Sequence, residues 1–159
     1  TTYKSLMKCR TADLKLLGGQ FETQQAVEDY IIRTIGEVKQ IQLKAETVVS
    51  LVHKYGTETD KIIERAFEIY PTEPDPMKRI HLAELWYVIH FEMVNNLEDY
   101  LIRRSGRLYF ERQNLGHWYP FIADEMAKIL NWSALEKYEH LVNFKREFDE
   151  VLAFKNEKA

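Results

Sequence analysis

Residues 84–106 read ELWYVIHFEMVNNLEDYLIRRSG, the most apolar and most aromatic stretch of the chain, with an unusual set of charges inside it. Leu82, Leu85, Trp86, Ile89 and Met93 recur at the i, i+3, i+4, i+7 spacing of one helix face. Tyr87, Val88 and Phe91 make the other side apolar too, so the spacing predicts a helix buried on most of its circumference. Asn95-Asn96 interrupts it. Asn96 suits an N-cap, with Asp99 three residues on as a capping-box acid, so a second helix is predicted to start there. Asp99 and Arg103 lie one turn apart on it, and Glu92 stands near the end of the first helix. A carboxylate this deep in an apolar helix is costly unless paired, and Arg103 and Arg104 are the nearest partners.

Working outward, Thr23 is placed to cap a helix whose inner face is Val27, Tyr30, Ile31, Ile35 and Val38, ending between Gly36 and Gln42. Another is predicted from about Leu43 to Tyr55, with Val48, Leu51, Val52 and Tyr55 inward and Gly56 as C-cap. Thr57 and Asp60 form a capping box for a third, whose stripe is Ile63, Ala66, Phe67 and Tyr70. The PTEPDP segment, Pro71 to Pro76, is the clearest loop. After the central pair, Arg107 to Asn114 either extends the second helix or turns over the surface. Pro120 suits the first turn of the next helix, whose stripe is Ile122, Met126, Ile129 and Leu130. Ser133 and Glu136 form a capping box for the last, which is expected to turn Tyr138, Leu141, Val142, Phe148 and Leu152 inward. The expectation is an all-α fold: a single compact bundle of about seven helices with an extended N-terminal strap.

The composition agrees and excludes several functions. Only 6 Gly and 4 Pro in 159 residues suit long helices, and the length is that of one domain. A net charge of -3 argues against a general nucleic-acid binder. A lone cysteine, Cys9, rules out an internal disulfide and fits a reducing compartment. No apolar run has the length of a membrane span. A cytoplasmic location is expected, with peripheral contact at the membrane left open. His53, His81, His90, His117 and His140 are scattered, with no pair at i, i+3 or i+4, so no metal site is expected. Trp86, Trp118 and Trp132 read as core or interface residues. No catalytic residue is expected.

Glu92, Asp99, Arg103 and Arg104 are the one dense polar set on buried helices. They read as an ion-pair network fixing the angle between two helices, or as an anion site in which two guanidiniums grip a phosphate or carboxylate.

The order Glu84, Tyr87, Glu92-Met93, Leu97, Asp99, Leu101 and Arg103-Arg104 also resembles the C-terminal helical domain of FAD-dependent glycerol-3-phosphate dehydrogenases and oxidases. That family has Glu-x-x-Tyr, then Glu-Met, then Leu-x-Asp and paired arginines. Thr1-Thr2-Tyr3-Lys4 resembles the Gly-Gly-Lys-x-Thr-Thr-Tyr-Arg segment that closes its flavin domain, with Lys4 in place of arginine. Lys8 to Gln20 resembles the connection into the helical domain, with Leu17 where that connection has proline. Tyr55-Gly56 has a counterpart there as well. The resemblance implies that residues 1–20 are the end of a flavin domain plus a linker, and 21–159 a C-terminal helical domain. It implies that Thr1 and Thr2 sit beside FAD in the full-length enzyme, with no cofactor held by this chain alone. By the same resemblance the whole enzyme oxidises sn-glycerol 3-phosphate to dihydroxyacetone phosphate. The expected partners are the upstream flavin domain, a second copy of the chain, and a membrane touched peripherally by the whole enzyme. The residues by themselves leave two rivals: a stand-alone helical interaction module, and an anion-binding regulatory domain using Arg103 and Arg104.

Overall fold

In the computed structural model, which describes Thr11 and residues 14–153, helices form where caps and apolar stripes coincide. They are α1 (Gln24–Val38), α2 (Ala45–Tyr55), α3 (Thr59–Ile69), α4 (Pro76–Phe91), α5 (Arg107–Phe110), α6 (Arg112–Leu130) and α7 (Ala134–Ala153). A π-helical segment, Asp99–Arg104, lies between α4 and α5, and no strand occurs among the described residues. The fold is all-α. The chain divides into two compact units between Asp60 and Lys61.

In the first unit, the Thr23 hydroxyl accepts a hydrogen bond from the Ala26 amide at 3.1 Å, the expected N-cap of α1. The helix runs out through a 3-10 turn at Lys39–Ile41 into Gln42, whose φ of 59° is left-handed. Val38, Ile41, Val48, Leu51, Val52 and Tyr55 are buried. The segment before α1 meets the end of α2 where two glycines cross. The Gly18 carbonyl accepts from the Thr57 amide at 3.1 Å, and a Cβ on Gly56 (φ 57°) would lie 1.9 Å from the Gly18 oxygen. Only residues without a side chain allow that approach. Asp60 does not cap α3, which starts at Thr59 after a 3-10 turn; its carboxylate instead accepts from the Tyr30 hydroxyl at 2.8 Å and Arg33 at 3.2 Å.

In the second unit, Asp75 caps α4 by accepting from the amides of Met77 and Lys78, with Pro76 at the first helical position. Arg79, fully buried, turns back over the Tyr70 ring and donates to the Glu73 and Pro74 carbonyls, fixing the preceding loop. As the periodicity predicts, α4 is buried on most sides, through Ile80, Ala83, Leu85, Tyr87 and Val88. It ends sooner than predicted: Met93 has φ 57° and stands 85% exposed, outside the helix face assigned to it.

Pro120 lies in the ninth position of α6 rather than its first turn. Its missing N–H and its ring both act against the Gly116 carbonyl, a cost of about 3 kcal/mol in a helix interior. Tertiary contacts on both sides of it outweigh that cost. Leu115, Ile122 and Met126 are buried, Trp118 packs on His81 at 4.6 Å, and Tyr119 packs on Phe144 at 5.2 Å. The Ser133–Glu136 capping box forms reciprocally, and its backbone hydrogen bond lowers the Glu136 carboxyl pKa. Tyr138, Val142 and Leu152 do not face inward as expected. They are exposed, and the fully buried residue of α7 is Phe144. Leu141 and Phe148, expected inward as well, are half-buried, and Phe148 packs on Tyr119. The last helix carries apolar residues on two faces, and the expected set mixed the two.

Candidate functional site

The end of α4 and the π-helical segment carry two separate sets of charges. The first is the expected one. Glu92, Met93, Val94, Asp99, Arg103 and Arg104 together line an open cleft. Within it the four charged groups form two pairs rather than one network. Arg103 donates to Asp99 one turn away, and its side chain is 66% exposed. Arg104 donates to the Glu92 carbonyl at 3.1 Å and faces the Glu92 carboxylate at 3.7 Å, linking the end of α4 to the π-helical segment. Partial burial, with a smaller push from Glu84, raises the Glu92 carboxyl pKa against the opposing pull of Arg104. Asn96 does cap the new helical turn, accepting from the Asp99 amide at 2.8 Å.

The second set lies deeper. Glu84 and Tyr100 are fully buried and Arg107 nearly so. The Arg107 guanidinium donates one hydrogen bond to a Glu84 carboxylate oxygen and one to the Tyr100 hydroxyl. The Tyr100 hydroxyl donates to that same Glu84 oxygen at 3.1 Å. Arg107 Nε donates to Glu111 at 3.0 Å, giving the guanidinium a second carboxylate at the surface. Burial raises the Tyr100 hydroxyl pKa, with Glu84 reinforcing the shift, so the phenol stays protonated and able to donate. Burial also works against the charge on Arg107, but Glu84, Tyr100 and Glu111 outweigh it and hold that pKa well above its ordinary value.

Local structure aims these groups. The widened π turn has Ser105 N–H and Ser105 hydroxyl both donating to the Tyr100 carbonyl, at 2.9 and 2.7 Å. Gly106 then takes φ 64° and starts α5, which turns Arg107 back toward α4. Sequence reasoning identified Glu84 as a motif residue and Arg107 as the start of an ambiguous segment, but it did not join them. Twenty-three positions separate the two, and no helical spacing links them. The legible signal was an acid at the centre of an apolar helix with no cation one turn away.

Thr1 and Thr2, the residues implied to approach a flavin, lie outside the described residues. Among the described residues no group of three or more His, Cys, Asp or Glu side chains is placed to hold a metal ion. No described helix is long and apolar enough to cross a membrane. Trp86 packs with His90 and Phe91, Trp118 with His81 and Phe121, and Trp132 stacks on His140 at 4.1 Å.

The all-helical fold has counterparts among known proteins. The model for the C-terminal domain of alpha-glycerophosphate oxidase matches residues 9–137, and the chain belongs to that family. It is 31% identical over 135 residues to the aerobic glycerol-3-phosphate dehydrogenase of Staphylococcus haemolyticus, covering 83% of this chain and 24% of that protein. It is 30% identical over 146 residues to the enzyme of the same name from Staphylococcus epidermidis, covering 90% of this chain and 26% of the relative. The crystal structure of glycerol-3-phosphate dehydrogenase from Bacillus halodurans, complexed with FAD, shares the fold. Its TM-score is 0.76 at 24% identity, over 88% of this chain and 28% of that one. The chain thus spans about a quarter of the length of these relatives.

Proposed function

We propose that the chain serves as the C-terminal accessory domain of an FAD-dependent glycerol-3-phosphate dehydrogenase, packing on a flavin domain of the same polypeptide or supporting its assembly. The observation that carries this is the family match over residues 9–137 to a domain whose relatives are four times longer. The whole enzyme would oxidise sn-glycerol 3-phosphate to dihydroxyacetone phosphate, with FAD as the acceptor of the two electrons. In this reading residues 1–20 are the end of the flavin domain and its linker, and Thr1 and Thr2 lie beside the cofactor. Self-association, and peripheral contact of the whole enzyme with the cytoplasmic membrane, go with the same reading.

The chain's own share is structural. Its densest charges are consumed in joining α4 to the segments that follow, which supports a packing role over a chemical one. The direct test is the coding sequence upstream of Thr1. A strand, a G-x-G-x-x-G turn and a helix, ending in Gly-Gly-Lys just before Thr1, are expected, and the expressed polypeptide should carry flavin absorbance. A start codon close by without such a fold would overturn the reading.

A second reading draws on the cleft in which Arg103 and Arg104 stand side by side. There the domain is a regulatory anion site, and millimolar glycerol 3-phosphate or phosphate should raise the melting temperature. No shift would sink it.

A further inference from the structure

The outer face of α7 is a seam left exposed by the described residues of its own unit. Leu135, Tyr138, Val142, Lys145, Asp149 and Leu152 are all exposed, and their spacing of three, four, three, four, three is that of alternating a and d positions in a coiled coil. The opposite face of the helix is already used, through Phe144 and Phe148 packed on Tyr119. The family match ends at residue 137, so most of this helix lies past it.

The seam is complementary to itself when reversed. Two antiparallel copies centred between residues 143 and 144 place Leu135 on the other copy's Leu152, and Val142 under the aliphatic stem of Lys145. The same register brings the Tyr138 hydroxyl to Asp149, as donor to carboxylate. Lys145 and Asp149 already pair within each helix at 2.5 Å, so neither polar seam residue enters the interface as a bare charge. Flanking the seam, Glu139 and Arg146 are exposed. In the antiparallel register each faces the other's counterpart, giving two ion pairs of opposite sign. The parallel arrangement lacks this, since it sets Glu139 beside Ala134 and Arg146 beside Leu141, neither of them charged.

We infer that the exposed face of α7 is a homodimer seam in which two copies of this chain pair their last helices antiparallel. This rests on α7 alone and is independent of the flavoenzyme reading. The seam is under three heptads long, so dimerisation is expected only at micromolar concentration and above.

The test is cross-linking of the 159-residue chain carrying Cys9→Ser, Leu135→Cys and Leu152→Cys. Both new cysteines are at exposed positions, which spares the fold. Within one copy they are separated by seventeen residues of helix, about 25 Å, far beyond disulfide reach. Oxidation should therefore yield a covalent dimer, and Cys9→Ser with Leu135→Cys alone, whose two copies lie about 25 Å apart in this register and adjacent in the parallel one, should yield several-fold less. In sedimentation equilibrium Val142→Asp should abolish the dimer. Glu139→Arg should weaken it at least tenfold, and Arg146→Glu added to it should restore it. A chain that stays monomeric at 200 µM, dimers indifferent to Val142→Asp, or equal cross-linking with Leu135→Cys alone would each overturn the proposal.

Discussion

Two charge clusters lie within one stretch of about twenty-five residues, and they differ in depth. Glu84, Tyr100 and Arg107 share a buried site from which water is excluded. Asp99 with Arg103, and Glu92 with Arg104, sit around an open cleft where solvent screens them. The same chemical types are present in both. An exposed pair contributes little because water solvates either partner well when the other is gone. A buried pair need not add much net stability either, yet deleting one half of it leaves a charge that nothing can solvate. The comparison separates the worth of a contact from the cost of breaking it.

The largest effect should follow from Glu84→Gln or Arg107→Leu. Either leaves the other member poorly compensated in the interior, and unfolding in denaturant should register a loss of about 3–5 kcal/mol. Tyr100→Phe retains the ring and the ion pair and removes only the hydroxyl, so about 1–2 kcal/mol is expected. Gly56→Ala tests the glycine crossing rather than a charge. A methyl group set against the Gly18 carbonyl oxygen, on a residue with φ 57°, should cost about 2–3 kcal/mol, more than the left-handed conformation alone. At the open cleft, Arg103→Leu should change stability by less than about 1 kcal/mol, and added salt should shrink even that.

The smallest effect is a pH dependence. Folding raises the Glu92 carboxyl pKa, so the folded state holds its proton more tightly than the unfolded chain does. The resulting stabilisation is present at acid pH and fades as the pH rises from the unfolded pKa through the raised folded one. Stability measured across that window should fall in the parent chain. In Glu92→Gln the contribution of this group to the slope should vanish; an unchanged slope would assign it elsewhere.

Much of the fold was legible because caps and stripes are local. Thr23, Asn96 and the Ser133–Glu136 pair each bond an amide within three residues, and the sequence spacing carries that information directly. Pro120 was misread because a local rule, proline at a helix start, yielded to packing on both sides of it. α7 was read correctly at Leu141 and Phe148 and wrongly at Tyr138, Val142 and Leu152, because its periodicity supports two apolar faces and only tertiary contacts decide which one turns inward. At the open cleft, the Asp99–Arg103 pair was legible from its i, i+4 spacing, whereas Glu92 and Arg104, twelve residues apart, were only neighbours in a dense polar set. The buried cluster was not, since Glu84 and Arg107 meet through a π turn and a left-handed glycine whose combined rotation no periodicity predicts.

The most direct test of the central claim is a double-mutant cycle on that cluster. Glu84→Leu, Arg107→Leu and the double variant would be unfolded in denaturant alongside the parent chain. Each single change should cost about 3–5 kcal/mol, and the double should recover at least about 2 kcal/mol relative to their sum, since removing both charges leaves none stranded. Should a single variant prove too unstable to fold, refolding of the double would give the same answer. Single losses that simply add, or that are no larger than that of Arg103→Leu, would contradict the account.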